Sequence, residues 1–328
     1  MNTNQLFKYG ENITWSLPVL FQYEPIWVAI FNMFQNYGIT LPQINAFGSP
    51  TIAWTGGRAP AVSGEFSAKN ILKIFNYIEK ANATPTLTFT YTGITKEDLK
   101  DRYANYFLDV ALEAKAHFII CSDLLKNYIK EKDPNAYCVA SVIKPALMFQ
   151  GPDKMKDWSI EKETQLYNNL LKEYEMVVVR PEYSKGPLLE NPDLIDDISR
   201  IEVLINQPCI QNCPRMPQHY RFLENMRLGQ ENRSGNFQCI KKTLPRNQVL
   251  FKNTLAHDEQ TIKKLVEIGV QHLKIQGRGV ENVAQSLALM LMGQMFSPHG
   301  SGYLIIEEMM HGAIEKEIEN FKTLLEEI

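Results

Sequence analysis

The chain has no long uninterrupted apolar run, no marked excess of charge and no glycine fingerprint. Each absence excludes a class of function. Residues 16–34 are apolar-rich, but Pro18, Gln22, Glu24 and Pro25 interrupt them, and the stretch falls short of a membrane span. No basic leader runs into an apolar stretch with a small-residue cleavage site, so a secretory signal is not expected. A net charge of -3 and a pI near 6.1 give no general attraction to nucleic acid or anionic membrane. No GxSxG, HExxH or Walker-type sequence is present, which argues against several common hydrolase and NTPase schemes. Cysteine is sparse, at five residues. An odd count without an export signal points to reduced thiols and a cytoplasmic protein.

What is present is ordinary in bulk and informative in pattern. The 328 residues suit two average domains or one large α/β barrel. A hydrophobic share of 45% and a charged share of 22% are those of a globular domain whose core needs no disulfides. No repeat stands out, but short β-rich runs alternate with helical segments. Strands are expected over residues 13–19, 43–47, 86–91, 118–121, 137–143, 176–180, 201–205 and 272–275. Helices are expected over 24–37, 67–81 with Ser67 as N-cap, 95–116, 123–132, 160–174, 192–200, 214–227, 257–269 and 280–295.

Eight such units predict parallel strands closed into a (β/α)8 TIM-like barrel over residues 1–300. An extra amphipathic C-terminal helix over 301–328 would pack on it. A ninth strand at 249–252 would change the count. An open doubly wound sheet is the alternative, although no glycine fingerprint follows the first strand.

In a barrel of this kind the chemistry belongs at the C-terminal strand ends. The residues just past the expected strands include Trp54, Gly56, Gly57 and Arg58, then Tyr91 and Thr92, then Cys121, Ser122 and Asp123. Lys144, Arg180, Glu182, Asn206, Gln276, Gly277 and Arg278 follow. Four cations (Arg58, Lys144, Arg180 and Arg278) would ring one mouth, which predicts a small anionic ligand there, because like charges gathered together cost energy without a counter-ion. Alternatively each pairs with a neighbouring Glu182, Asp123 or Glu202 as scaffold.

The densest chemistry lies at residues 200–220, RIEVLINQPCIQNCPRMPQHY. Cys209 and Cys213 stand four apart in a loop flanked by Pro208 and Pro214, and Cys239 follows. Three of five cysteines within 31 residues suggest a site. Thiolates select zinc or an iron–sulfur cluster. His219 is a candidate ligand or proton donor, Asp123 a candidate proton carrier, and Cys121 a candidate fourth ligand. Cys138 reads as core.

The segments EVLINQPCIQNCPRMPQHY, LKIQGR at 273–278 and LPVLFQYEP…AFGSP…GGRAP together resemble the collagenase-like peptidase superfamily. That group includes iron–sulfur accessory proteins of oxygen-independent ubiquinone hydroxylation and RNA base hydroxylases. The resemblance implies a TIM-like barrel and, in the hydroxylase-linked members, a [4Fe–4S] cluster on four cysteines. Cys209, Cys213 and Cys239 fall in the matching region. Gln276 replaces the acidic residue of the family's LKIEGR, and no cysteine stands in the GGRAP loop. That leaves a three-cysteine cluster, a zinc site or no metal.

Three readings follow. The first is an iron–sulfur barrel protein in an oxygen-independent hydroxylation or related redox modification. In it, Arg58, Lys144, Arg180, Asn206 and Arg278 bind a small anionic substrate or oxygen donor, and His219 or Asp123 moves protons. The second is a peptidase-like hydrolase with zinc as the metal. The third is a non-catalytic scaffold, with helix 24–37 or the tail 305–328 binding another protein or a second copy.

Overall fold

The computed structural model describes residues 7–18, 42–56, 68–80, 83–150, 157–207, 209–227, 237, 239 and 257–275. Eight strands form a closed barrel: β1 (Thr14–Leu17), β2 (Ile44–Gly48), β3 (Ala83–Phe89), β4 (His117–Ile120), β5 (Cys138–Ala140), β6 (Met176–Val179), β7 (Ile201–Leu204) and β8 (His272–Lys274). Each pairs in parallel with the next, and β1 pairs with β8 in the register Thr14–His272, Trp15–Leu273, Ser16–Lys274. Their composition explains the closure. A parallel strand here is covered on both faces, so β5 (CVA), β6 (MVVV) and β7 (IEVL) are buried at every position.

Between strands run α1 (Ala68–Lys80), α2 (Arg102–Glu113), α3 (Asp123–Lys132), α4 (Ile143–Phe149), α5 (Ile160–Glu173), α6 (Pro181–Lys185), α7 (Pro187–Glu190), α8 (Met216–Arg227) and α9 (Glu259–Glu267). Their starts are chemically marked. Asp101, Ser122, Ser159 and Asp258 each accept a backbone N–H of the first turn, from Ala104, Leu125, Lys162 and Thr261. Such a cap is worth about 1 kcal/mol.

The apolar residues divide into two cores. The larger lies between barrel and helices and holds Trp15, Phe89, Phe107, Phe118, Leu171 and Leu273 among many others. The smaller contains Phe47, Ile119, Val139, Met176 and Val178 from β2, β4, β5 and β6. It fills one side of the barrel interior. The opposite side, on β1, β7 and β8, carries Ser16, Glu202 and Lys274.

The expected eight-unit barrel is the one observed, with three local differences. The helix expected at 95–116 begins only at Arg102, because Asp101 caps it; Thr95 and Asp98 close a separate turn before it. The strand expected at 137–143 ends at Ala140, and Lys144 lies in the first turn of α4, not at a strand end. The helix expected at 192–200 is instead two 3-10 turns, Pro192–Leu194 and Ile198–Arg200. Pro192 starts the first turn and the Asp197 carboxylate caps the second, so neither propagates. The expected elements at 24–37, 249–252, 280–295 and 301–328, and the cap Ser67, lie outside the described residues. No helix among the described residues is long and apolar enough to cross a membrane.

Candidate functional site

A cavity of about 100 Å³ opens at the C-terminal end of the barrel. Its floor is built by inward-facing strand residues, among them Phe47, Thr88, Ile119, Val178, Leu204 and Lys274. Its roof is α8, which presents Met216, His219, Tyr220, Leu223 and Glu224. The roof is pinned across the mouth. Glu224 accepts the Thr92 backbone N–H at 2.9 Å and the Thr92 hydroxyl at 2.7 Å, tying α8 to the end of β3.

The floor carries one ammonium group. Lys274 Nζ donates to Glu202 Oε2 at 2.8 Å and lies 4.5 Å from the centre of the Phe47 ring. Ser16 donates to Glu202 Oε1, so both carboxylate oxygens are used. Glu202 is fully buried. A lone carboxylate buried there would be strongly disfavoured, and Lys274 and Ser16 give both its oxygens a partner. The Thr88 hydroxyl also faces this cavity, is buried, and has no hydrogen-bond partner among the described residues.

The cysteine loop forms the root of the roof helix. Asn212 adopts a left-handed backbone, φ 51°, which lets the chain turn back between Cys209 and Cys213. Glu182 holds that turn by accepting the Asn212 N–H at 3.1 Å and the Gln150 amide at 3.0 Å through one oxygen. Phe237 stacks on His219 at 4.9 Å and on Phe222 at 5.4 Å, under the Arg215 guanidinium at 4.7 Å. These contacts bring the segment holding Cys239 against α8. Burial pushes the Cys213 thiol pKa up, and Cys209 and Cys239 add to the rise, so the three sulfurs lie within electrostatic reach. Cys209 also lines the cavity. Among the described residues, no three His, Cys, Asp or Glu side chains are gathered closely enough to share a single metal ion.

The other expected site residues are placed as follows. His219 lines the cavity. Asn206 follows β7 but is not part of the lining. Arg180 is committed to scaffold: its Nε and Nη2 grip both oxygens of buried Glu163 at 2.8 and 2.7 Å, and Tyr167 adds a hydrogen bond of 2.6 Å to the same carboxylate. Lys144 pairs with Asp123, which also accepts the Tyr174 hydroxyl at 2.8 Å. Burial pushes the Asp123 carboxyl up, but Lys144 and Tyr174 outweigh it and hold it below the ordinary value. Two cations of the expected ring therefore have internal partners, and Asp123 serves as one of them. Arg58 and Arg278 lie outside the described residues. Cys121 donates to the Tyr91 carbonyl at 3.4 Å, and burial raises its pKa to about 12, the state of a protonated thiol.

Sequence reasoning missed Lys274, Thr88 and Glu224. The first two had a usable signal: a lysine and a threonine inside otherwise buried strands must face something polar.

No family model matches the chain, and no curated protein matches it. Solved structures do. The U32 peptidase Mk0906 aligns with a TM-score of 0.48 at 9% identity, over 82% of this chain and 93% of its own. The beta-mannanase from the blue mussel Mytilus edulis aligns with a TM-score of 0.30 at 11% identity, over 90% of this chain and 94% of its own.

Proposed function

We propose that the protein is an iron–sulfur barrel enzyme that carries out an oxygen-independent hydroxylation or related redox modification at the mouth of the barrel. The observation that carries this reading is Cys209 in the cavity wall, at the root of the roof helix, with Cys213 following across the Asn212 turn and Phe237, two residues before Cys239, stacked on that helix. A cluster spreads its thiolates over separate irons, so they stand further apart than those around a single ion. Cys209, Cys213 and Cys239 would hold it, and the fourth corner would be met by a residue outside the described set or by substrate. When bound, the cluster supplies electron transfer and a Lewis-acidic iron.

The chain's own residues provide the rest. Lys274 and Thr88 offer donors at the cavity floor, beside the apolar side chains of Phe47, Ile119, Val178 and Leu204. His219 sits in the roof, fixed by its stack on Phe237, where an imidazole can exchange a proton with a bound molecule.

The test is anaerobic reconstitution of the wild-type chain and of Cys213→Ala, read by visible absorption and bound iron. The reading predicts a broad band near ~400 nm in the wild type and its loss in the variant. Equal iron binding by both, or by neither, would contradict it.

A further inference from the structure

The charge around the cavity defines a ligand more closely than the cysteines do. Lys274 is already neutralised by Glu202. Glu224, buried in the roof, has only the two neutral donors of Thr92, and no cation pairs with it among the described residues. The described lining therefore carries one uncompensated negative charge. A buried carboxylate in that position gains most from a positive group or a strong N–H donor supplied by a ligand.

At the floor the demand is opposite in kind. The Thr88 hydroxyl has no partner among the described residues although the residue is 6% exposed, and an unmet buried hydroxyl costs about 1–3 kcal/mol. Lys274 spends one ammonium proton on Glu202 and retains further donors. Both residues line the cavity and offer donors to an oxygen entering it. The walls between floor and roof are apolar: Phe47, Ile119, Val178, Leu204 and Leu223. A volume of about 100 Å³ is roughly three waters' share of liquid and less than the ~150 Å³ that takes benzene, so a small ligand fills it and reaches into the open mouth.

We infer that the cavity binds a small amine with an apolar body and a carbonyl or hydroxyl oxygen, its nitrogen on Glu224 and its oxygen on Lys274 and Thr88. This narrows the substrate expected from sequence. The cations that suggested an anion include Lys144 and Arg180, which have internal partners. The inference concerns binding alone and does not require a cluster.

Isothermal titration of the full chain with leucinamide tests it, with isoamylamine and 4-methylpentanoate as comparison ligands. Leucinamide has all three features; isoamylamine lacks the oxygen, and 4-methylpentanoate replaces the amine with a carboxylate. Leucinamide should bind most tightly. Glu224→Gln should weaken it by about tenfold or more, as expected for a charged hydrogen bond, and Thr88→Val by about fivefold. Circular dichroism melts confirm that both variants fold, and Thr88→Ser should restore leucinamide binding. Tighter binding of 4-methylpentanoate, no binding of leucinamide at millimolar concentration, or unchanged leucinamide affinity in folded Glu224→Gln would each overturn the inference. Metal content, measured on the same samples, reports separately on the cluster.

Discussion

Lys274 on β8 and Glu202 on β7 meet at 2.8 Å inside the barrel, beneath the mouth cavity, while Ser16 on β1 satisfies the other carboxylate oxygen. Three adjacent strands thus share one polar centre, across the interior from the apolar group of Phe47, Ile119, Val139, Met176 and Val178. The pair closes the seam where the barrel returns on itself, since β8 hydrogen-bonds to both β7 and β1. Breaking a buried pair from one side leaves a charge without a partner. Lys274→Met should destabilise the fold by about 3–5 kcal/mol in denaturant titration, and adding Glu202→Leu should recover most of the loss. A loss below about 1 kcal/mol in the single variant would show that solvent reaches Glu202.

Gly56 is required by a close approach of two backbones. A Cβ there would stand 2.6 Å from Thr90 Oγ1 and 2.7 Å from the Thr90 carbonyl oxygen. The hydroxyl can rotate, but the carbonyl belongs to the strand end whose next residue, Tyr91, donates its N–H to the Trp54 carbonyl at 3.1 Å. Gly56→Ala should cost about 1–3 kcal/mol. Because Thr90 also lines the cavity, ligand affinity should fall with it.

Acid should weaken the fold in two windows. Burial lowers the His117 pKa from 6.5 to about 4 and also lowers that of His272. Between these values the unfolded chain binds protons that the folded chain refuses, so stability falls as pH drops from about 6.5 toward 4. Asp123 acts lower. Its folded pKa is depressed, so the stability it contributes is present above the unfolded value of 3.8 and is lost as pH falls through the folded pKa. Melting temperature against pH should decline through the first window in wild type. His117→Phe, which keeps the stacking partner of Tyr137 at 4.0 Å, should flatten that decline.

Thiol labelling should separate the cysteines. Burial holds both Cys121 and Cys138 at about 12, so neither is a thiolate at pH 8. Mass spectrometry after brief alkylation of the folded metal-free chain should find these two unmodified. Cys121 is partly exposed like Cys209, Cys213 and Cys239, so its protection rests on its raised thiol pKa; the other three should take the label, and metal loading should protect all three together.

The barrel was legible because its evidence is repeated eight times: short β-rich runs, each followed by a helical period, leave little freedom of topology. Local boundaries were less so. Asp101 and Asp197 act as caps inside stretches with helical composition, and a side chain that caps a new turn stops an old one. The candidate site divides along the same line. Cys209, Cys213 and His219 are neighbours in sequence, and their convergence could be read from spacing. Arg180 and Glu163 are 17 residues apart on different elements, and Lys274 and Glu202 are 72 apart. Their pairing is created by closure of the barrel, and no local pattern encodes it. For the same reason the partners of Lys144 and Arg180 could not be read from strand ends, which identify the residues that reach the mouth region but not those already paired.

The most direct test of the account is the iron, zinc and acid-labile sulfide content of the full chain purified without oxygen, with its visible spectrum. Iron and sulfide in matching amounts, absorption near ~400 nm, and loss of both when Cys209, Cys213 and Cys239 are replaced by alanine are the predicted result. Zinc alone, or neither iron nor sulfide after anaerobic reconstitution, would contradict it.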